Sequence, residues 1–235
     1  MNLLLLEPED FLGENRVRLA GRRMRHVLDV HRAALGDELR VGLLNGRMGR
    51  GKVLRLNDEA LEMEVALNED PPPKLPLSLV LALPRPKVLN RVLASAASLG
   101  IARIVLVNAW RVEKAYWKSP RLDSENLREQ LILGLEQGRD TVLPELRLAR
   151  LFRPFVEEEL PAWVAGATAL LAHPRSADPC PRAVEGRCVL AIGPEGGWIQ
   201  AELDSLTRAG FKPVDLGPRI LRVETALAAL VGRLM

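Results

Sequence analysis

The chain has 235 residues, of which 48% are hydrophobic, enough for one large domain or two modest ones with a substantial core. No apolar run approaches the length of a membrane span, so the sequence predicts no transmembrane helix and no membrane partner. The two cysteines, Cys180 and Cys188, lie at neither metal-site nor disulfide spacing, so we expect no metal centre and a reducing, cytoplasmic location.

The first 70 residues predict a small β-barrel. Short apolar runs are separated by turn residues, and Asn45-Gly46 is a strong hairpin signal. These runs cover residues 2–6, 17–19, 39–44, 53–56 and 61–67. Met24, Val27 and Leu28 indicate one short helix between the strands.

Positive charge is concentrated in this first segment. Residues 16–55 contain eleven Lys or Arg residues against Asp29, Asp37 and Glu38, which is a local balance of +8. Such a run is either a solvated face or a surface that binds the phosphates of a nucleic acid. On the second interpretation, the cations expected to bind RNA are Arg22, Arg23, Arg25, Arg47, Arg50 and Lys52.

A proline-stiffened linker at residues 68–74 predicts a boundary between domain 1–70 and domain 74–235. The second domain opens with an apolar strand at 77–83, a helix with its apolar side at 88–99, and a second strand at 101–107. This order is a βαβ unit, which predicts parallel strands and a right-handed crossover.

The loop at residues 110–121 concentrates aromatic and cationic side chains. Trp110, Tyr116 and Trp117 stand among four Lys or Arg residues, although the chain is only 4% aromatic. Stacking side chains with cations are typical of sites for unpaired bases, which makes Arg111 and Trp117 candidates for RNA binding. The alternative is a hydrophobic loop that packs on a neighbouring element or on a second subunit.

The remaining chain alternates helices and strands. We expect helices at residues 124–137, 152–163 and 226–234, and strands starting at Pro144 and covering 168–172, 188–192 and 211–216. A Gly/Pro-rich loop follows each of the last two strands. Both loops should leave the same edge of a parallel sheet, where α/β proteins bind ligands mostly through main-chain groups.

The ligand is not a nucleotide held by a known phosphate loop, because neither G-x-G-x-x-G nor G-x-x-x-x-G-K-[ST] is present. The strings themselves are more specific: Ile192-Gly193-Pro194-Glu195-Gly196-Gly197 precedes Leu216-Gly217-Pro218-Arg219-Ile220-Leu221-Arg222. This pair resembles the C-terminal motifs of the ribosomal RNA small subunit methyltransferase E family of SPOUT methyltransferases. That family methylates ring nitrogen-3 of uracil in 16S ribosomal RNA. Glu136-Gln137-Gly138-Arg139 is similar to another of its signatures.

The resemblance implies an α/β fold in which a SPOUT-type parallel sheet ends in a C-terminal trefoil knot, preceded by a PUA-like RNA-binding barrel. It implies S-adenosyl-L-methionine as cofactor, an obligate homodimer, and 16S rRNA within the small ribosomal subunit as partner. The residues it places at the cofactor are Leu171, His173, Pro174, Ile192, Gly193, Pro194, Glu195, Gly196, Gly197, Leu216, Gly217, Ile220, Leu221, Arg222 and Thr225.

The catalytic residues expected for such a reaction are Arg222 and Glu224. A sulfonium methyl group is already activated, so the protein must align the reactants and assist loss of the uracil N3 proton. A cation would stabilise the anion that forms. The alternatives are a salt bridge from Arg222 to Glu195 or Glu224, and for Glu224 a place in the first turn of a helix, which favours acids.

Two other functions stay open on the sequence alone. A SPOUT enzyme acting on transfer RNA or on a ribose 2'-hydroxyl would explain the two loops but not the string from Arg219 to Arg222. A non-catalytic RNA-binding protein would explain the basic segment but not the loops.

Overall fold

The computed structural model describes residues 2–28, 33–57, 59–174, 176 and 178–235. The chain divides into two compact units, Met1–Pro73 with Leu135–Leu143, and Lys74–Gly134 with Pro144–Met235. The proline-rich linker lies at the division between them. The inclusion of residues 135–143 in the first unit has no counterpart in the sequence prediction.

The first unit contains a five-stranded sheet in the order β1-β3-β4-β5-β2. Its strands are β1 (Leu4–Leu6), β2 (Arg16–Leu19), β3 (Glu38–Leu43), β4 (Met48–Leu56) and β5 (Leu61–Glu69). β1 runs parallel to β3, and the other neighbours are antiparallel. Helix α1 (Gly21–His26) follows β2, and Asn45 adopts the left-handed conformation in the β3–β4 hairpin, with φ of 58°. The predicted strands and hairpin of this segment are therefore confirmed.

Residues 135–143 belong to this unit because they bond to its backbone. The Asn45 side-chain oxygen accepts a hydrogen bond from the Leu143 amide at 2.9 Å, and the Thr141 hydroxyl donates to the Gly46 carbonyl. Gly42 lies so close to Thr141 that a Cβ at position 42 would be 2.5 Å from the Thr141 methyl carbon. These contacts join residues about a hundred positions apart, so no local sequence pattern encodes them.

The second unit contains a six-stranded parallel sheet in the order β11-β9-β10-β6-β7-β8. Its strands are β6 (Leu75–Ala82), β7 (Ile101–Val107), β8 (Glu145–Ala149), β9 (Thr168–Ala172), β10 (Cys188–Ile192) and β11 (Lys212–Val214). Its helices are α2 (Pro86–Ser98), α3 (Ser124–Gly138, which ends in the first unit), α4 (Phe152–Pro154), α5 (Leu160–Val164), α6 (Gln200–Arg208) and α7 (Val223–Leu234). The predicted parallel βαβ architecture is confirmed.

Two predicted elements differ from those observed. The single helix expected over residues 152–163 is divided into α4, a π-helical turn at Phe155–Glu159, and α5. Pro161 lies at the start of α5, where its missing N–H is tolerated. The strand expected over 211–216 is shorter, because Asp215 bridges to Pro179 and the chain then turns at Gly217.

The core of the second unit surrounds β10, whose five residues are all buried. Helix α2 buries one face, which includes Leu89, Val92 and Leu93, and it packs against α7. In the described residues, no helix is long and apolar enough to cross a membrane.

Candidate functional site

Three loops meet at the carboxyl edge of the parallel sheet. Ile192, at the end of β10, is in register with Ala172, at the end of β9, and Ala172 is in register with Val214 of β11. The segments that begin at His173, Gly193 and Asp215 therefore leave the same edge side by side. This confirms the common edge that the sequence predicts for the Gly/Pro-rich loops.

The loop at residues 193–197 is held by its neighbours. The Gly197 amide donates to the Pro194 carbonyl at 2.7 Å, which closes the turn. Glu195 accepts a hydrogen bond from the backbone N–H of Arg85 at 3.1 Å, and the Arg111 guanidinium donates to the Gly196 carbonyl. The loops after β6 and β7 thus support the loop after β10.

The second Gly/Pro-rich loop is shaped by an aspartate turn. The Asp215 side chain accepts a hydrogen bond from the Gly217 amide at 3.0 Å, and Gly217 has φ of +110°. This conformation favours glycine. A Cβ added at Gly217 would meet no heavy atom within 4 Å, so the space beside this backbone is open to a ligand.

Two unsatisfied polar atoms belong to residues at this edge. His173 Nδ1 and Trp198 Nε1 are buried and have no hydrogen-bond partner in the described part of the chain. The indole nitrogen of Trp198 lies against Gly193, where a Cβ would approach it to 3.0 Å. Buried polar groups normally have partners, so an unpartnered imidazole nitrogen beside open main-chain loops fits a polar organic ligand. No group of three or more His, Cys, Asp or Glu side chains among the described residues could hold a metal ion.

The predicted cofactor residues at 171–174, 192–197 and 216–217 lie at this edge of the sheet, and they differ in their exposure to solvent. Leu171, Ile192, Gly193 and Pro194 are buried. Glu195, Gly196, Pro174 and Thr225 are exposed, and His173, Gly197, Leu216, Gly217 and Leu221 are half-buried. Ile220 is 74% exposed, so packing within its own unit does not explain an isoleucine at that position.

The two predicted catalytic residues have different surroundings. Arg222 is exposed at the N-cap of α7, and no partner for its guanidinium occurs among the described residues. Glu224 instead forms an ion pair with Arg91 of α2 at 3.3 Å. A bond between Arg222 and either Glu195 or Glu224 is therefore absent from the described structure, and the cation of Arg222 remains available.

The aromatic side chains of the loop at residues 110–121 differ in their contacts, and those of Trp117 follow the packing alternative. Trp117 is half-buried, donates its indole N–H to Asn108 at 2.8 Å, and lies under the guanidinium of Arg150 at 5.2 Å. Trp110 has the accessible ring, at 80% exposure. Arg111 is exposed, and its guanidinium contacts the loop at 193–197.

Glu202 is a site residue that the sequence analysis did not identify. Its buried carboxylate accepts hydrogen bonds from the Trp110 amide at 2.7 Å and from the Ile199 amide at 3.0 Å. An acid three residues after the N-cap is a known helix-start signal and would have indicated the second bond. The first bond spans 92 residues and has no local signal.

Tyr116, in the loop at residues 110–121, interacts with Glu113, Arg85 and Glu195. Its hydroxyl donates to Glu113 at 2.9 Å. Desolvation by the surrounding loop, together with this hydrogen bond and the negative charges of Glu113 and Glu195, raises the pKa of Tyr116, and Arg85 opposes the rise.

Three of the six cations predicted to bind RNA in the first unit are paired with acids. Arg23 forms an ion pair with the buried Asp10 at 2.6 Å. Burial lowers the pKa of the Arg23 guanidinium, but the hydrogen bond and charge of Asp10 act in the other direction, and the pKa is raised. Arg47 pairs with Asp70 and Arg50 with Glu38, each at 3.0 Å.

Of the other cations predicted to bind RNA in this unit, two are not seen in ion pairs with described residues. Arg25 and Lys52 are exposed, and no carboxylate partner occurs for them among the described residues. The side chain of Arg22 lies outside the described residues. The local balance of +8 therefore overstates the free positive charge, because acids outside residues 16–55, such as Asp10, Glu62, Glu69 and Asp70, neutralise several arginines.

Comparisons with known proteins identify the class of domain in which this site lies. Residues 71–235 match the family model of the RNA methyltransferase domain. The chain is 30% identical to the ribosomal RNA small subunit methyltransferase E of Treponema pallidum, over 97% of this chain and 88% of that protein. It is 28% identical to the enzyme of the same name from Mycobacterium bovis, over 88% and 81% of the two chains.

A solved structure shows the same fold. The crystal structure of a ribosomal RNA small subunit methyltransferase E from Neisseria gonorrhoeae, bound to S-adenosyl methionine, superimposes with a TM-score of 0.76. It is 26% identical and covers 98% of this chain and 95% of its own. The site therefore lies in an RNA methyltransferase domain. Within that class, the chain belongs to the ribosomal RNA small subunit methyltransferase E family.

Proposed function

We propose that this protein transfers a methyl group from S-adenosylmethionine to ring nitrogen-3 of a uracil in 16S ribosomal RNA. The observation that carries the proposal is the junction of three main-chain-rich loops at one sheet edge in a member of this family. S-adenosylmethionine is the family's cofactor, in agreement with the sequence prediction. The backbone at Gly193–Gly197 and Leu216–Gly217, together with His173, would hold it.

The reaction requires few catalytic groups from the protein. When bound, S-adenosylmethionine supplies an electrophilic methyl group. Arg222 would stabilise the negative charge that develops on the uracil as its N3 proton passes to solvent water, since its guanidinium has no carboxylate partner in the described residues. Glu224 would act through Arg91, with which it is paired, rather than on the base.

The C-terminal segment is proposed to form the trefoil knot of SPOUT enzymes. Asp215, after β11, accepts a hydrogen bond from the Cys180 amide at 2.7 Å. Arg233, at the end of α7, donates to the Cys180 carbonyl at 2.6 Å. The last strand and the last helix thus both bond to the connection between β9 and β10, which supports a chain end passed through that connection.

The active form is proposed to be a homodimer. Helix α7 buries Leu227, Leu230 and Leu234 within its own chain, while Ala228 and Ala229 on the other side are exposed. Small apolar residues on an exposed helix face allow close packing of a second subunit, and the exposed Ile220 lies just before this helix. Sedimentation as a monomer at micromolar concentration would contradict this proposal.

The first unit is proposed to be a PUA-like barrel that helps to recruit the RNA of the small ribosomal subunit in the cytoplasm. Exposed Arg25 and Lys52 support an electrostatic contribution, and the paired arginines limit its size. We expect this contribution to be smaller than the count of cations in residues 16–55 suggests.

Two measurements test the proposal. Calorimetric titration with S-adenosylhomocysteine should give a saturable heat, whereas a non-catalytic RNA-binding protein would give none. Mass spectrometry of nucleosides after reaction with small ribosomal subunits should then detect 3-methyluridine. A methyl group on a ribose 2'-hydroxyl, or methylation of transfer RNA in a parallel reaction, would assign one of the alternative activities instead.

A further inference from the structure

Residues 108–122, here named the platform loop, follow β7 at the same sheet edge as the cofactor loops. Internal contacts fix its shape. The Trp117 indole donates to Asn108, its ring lies under Arg150, and Val112 is buried. The Trp117 side chain is therefore engaged by Asn108 and Arg150 and is not available to stack on a base.

The platform loop is bonded directly to the region of the cofactor site. Arg111 donates to the carbonyl oxygen of Gly196, and the Trp110 amide donates to Glu202 at 2.7 Å. Glu202 in turn bonds to the Ile199 amide at the start of α6, immediately after the loop at 193–197. Position 110 is thereby held beside the loop at 193–197, which is proposed to bind the cofactor.

The side chain of Trp110 takes part in no hydrogen bond or ring contact among the described residues. It is 80% exposed, although the Trp110 amide and the side chain of the adjacent Arg111 are both hydrogen-bonded. Exposing an indole to water is unfavourable, and an exposed aromatic ring among cations on a fixed loop is typical of surfaces on which unpaired bases stack.

Free positive charge accompanies this ring. Lys114, Lys118 and Arg121 are exposed, and none has a carboxylate within salt-bridge distance among the described residues. The loop's acid, Glu113, accepts a hydrogen bond from Tyr116. The arginines of the first unit are mostly paired, so the platform loop carries the more accessible positive charge.

We propose that Trp110 stacks on an unpaired base of the RNA substrate, while Lys114, Lys118 and Arg121 bind the adjoining phosphates. Base faces are hidden in a duplex, so the ring requires a single-stranded or splayed-out nucleotide. The inference rests on the proposed function, because it takes RNA as the methyl acceptor. It assigns the contact that brings the target nucleotide to the cofactor loops.

The test compares full-length Trp110→Ala, Trp110→Phe and wild-type proteins in RNA-dependent methylation of small ribosomal subunits. The Michaelis constant for RNA should rise by at least about fivefold in Trp110→Ala, and Trp110→Phe should restore most of the affinity. The dissociation constant for S-adenosylhomocysteine should not change. Leu35→Ala, which removes a comparably exposed apolar side chain from the first unit, is the matched control and should match wild type.

A second variant tests the cations. Lys114→Gln with Lys118→Gln and Arg121→Gln should lower the salt dependence of binding to an oligouridine probe by about 0.7 for each phosphate that the variant no longer neutralises. This binding assay decides the inference even if wild-type protein methylates no RNA, an outcome that would instead contradict the proposed function. Unchanged RNA affinity in Trp110→Ala would overturn the inference. So would loss of the dimer in that variant, since Trp110 would then contact a second subunit.

Discussion

The guanidinium of Arg111 donates a hydrogen bond to the carbonyl oxygen of Gly196, which joins the loop after β7 to the loop after β10. The packing is close, since a Cβ at Gly196 would lie 3.0 Å from Arg111 Cδ. Gly196 is in the loop that we propose to hold the cofactor. The geometry of that loop therefore depends on a residue 85 positions earlier in the chain.

Replacing this arginine should weaken cofactor binding. In Arg111→Gln the Gly196 carbonyl loses its charged donor, and we expect the affinity for S-adenosylhomocysteine to fall about fivefold, because the bond is exposed to solvent. Arg121→Gln removes an unpaired cation from the same loop and is the control. Calorimetry should find Arg121→Gln unchanged, and equal losses in both variants would argue against the role of the Gly196 hydrogen bond.

The second prediction concerns the backbone at Gly217. Valine there would project into the open space beside the loop, so we expect Gly217→Val to lose cofactor binding. Gly210 is a matched control, because it also has positive φ, +100°, and no atom within 4 Å of its Cβ position. Both substitutions strain the backbone similarly, but Gly210 precedes β11 at the opposite edge of the sheet. If Gly210→Val abolished binding as well, strain rather than the ligand would be responsible.

Arg222 should affect the chemical step more than binding. Arg222→Gln should lower kcat by about a hundredfold, because the cation that stabilises the uracil anion is lost. The rate should also need a higher pH, at which the N3 proton leaves unaided. Arg219→Gln, which changes a neighbouring exposed arginine, is the control. A loss confined to cofactor affinity would assign Arg222 to cofactor binding alone.

The first unit has both paired and unpaired cations, and their contributions to RNA binding can be compared by substitution. Arg25→Gln with Lys52→Gln should reduce the salt dependence of RNA binding, since both cations are unpaired in the described structure. Arg47→Gln with Arg50→Gln should have a smaller effect, because Asp70 and Glu38 already offset those charges. An equal decrease in the salt dependence of RNA binding in the two double variants would show that the ion pairs open when RNA binds. Deleting the first unit is less informative, since residues 135–143 would lose their partners there.

The two thiols should be inert in the folded protein. Burial, with a smaller contribution from Cys180, raises the pKa of Cys188 to about 11, and burial raises the pKa of Cys180 despite the opposing effect of Arg233. Thiolate is therefore scarce at about pH 8, and a disulfide-exchange reagent should label the protein only after denaturation. Rapid labelling of native protein at that pH would contradict the buried positions.

The order of strands and helices in the second unit could be read from the sequence because its signals are local. Thr168–Ala172 and Cys188–Ile192 are continuous apolar runs bounded by turn residues, and their observed bounds agree with those predicted. The common edge of the loops followed from the expectation of parallel strands. The division of the helix between residues 152 and 163 was also predictable, because the sequence has prolines at 154 and 161 and proline disrupts the interior of a helix.

Contacts between distant residues could not be predicted in this way. No local pattern specifies that Arg47 faces Asp70 or that the Trp110 amide bonds to Glu202. For the same reason the sequence suggested Trp117 as the stacking residue, whereas Trp117 packs within its loop and Trp110 is accessible. A count of charges along the chain likewise carries no information about which of them are neutralised.

The most direct test of the central claim is mass-spectrometric mapping of methylated nucleosides in 16S rRNA after reaction of unmodified small ribosomal subunits with S-adenosylmethionine. Wild-type protein and Gly210→Val should produce 3-methyluridine at one position, and Gly217→Val should not. A 2'-O-methylated nucleoside, or no methylation of 16S rRNA by the wild-type protein, would contradict the account.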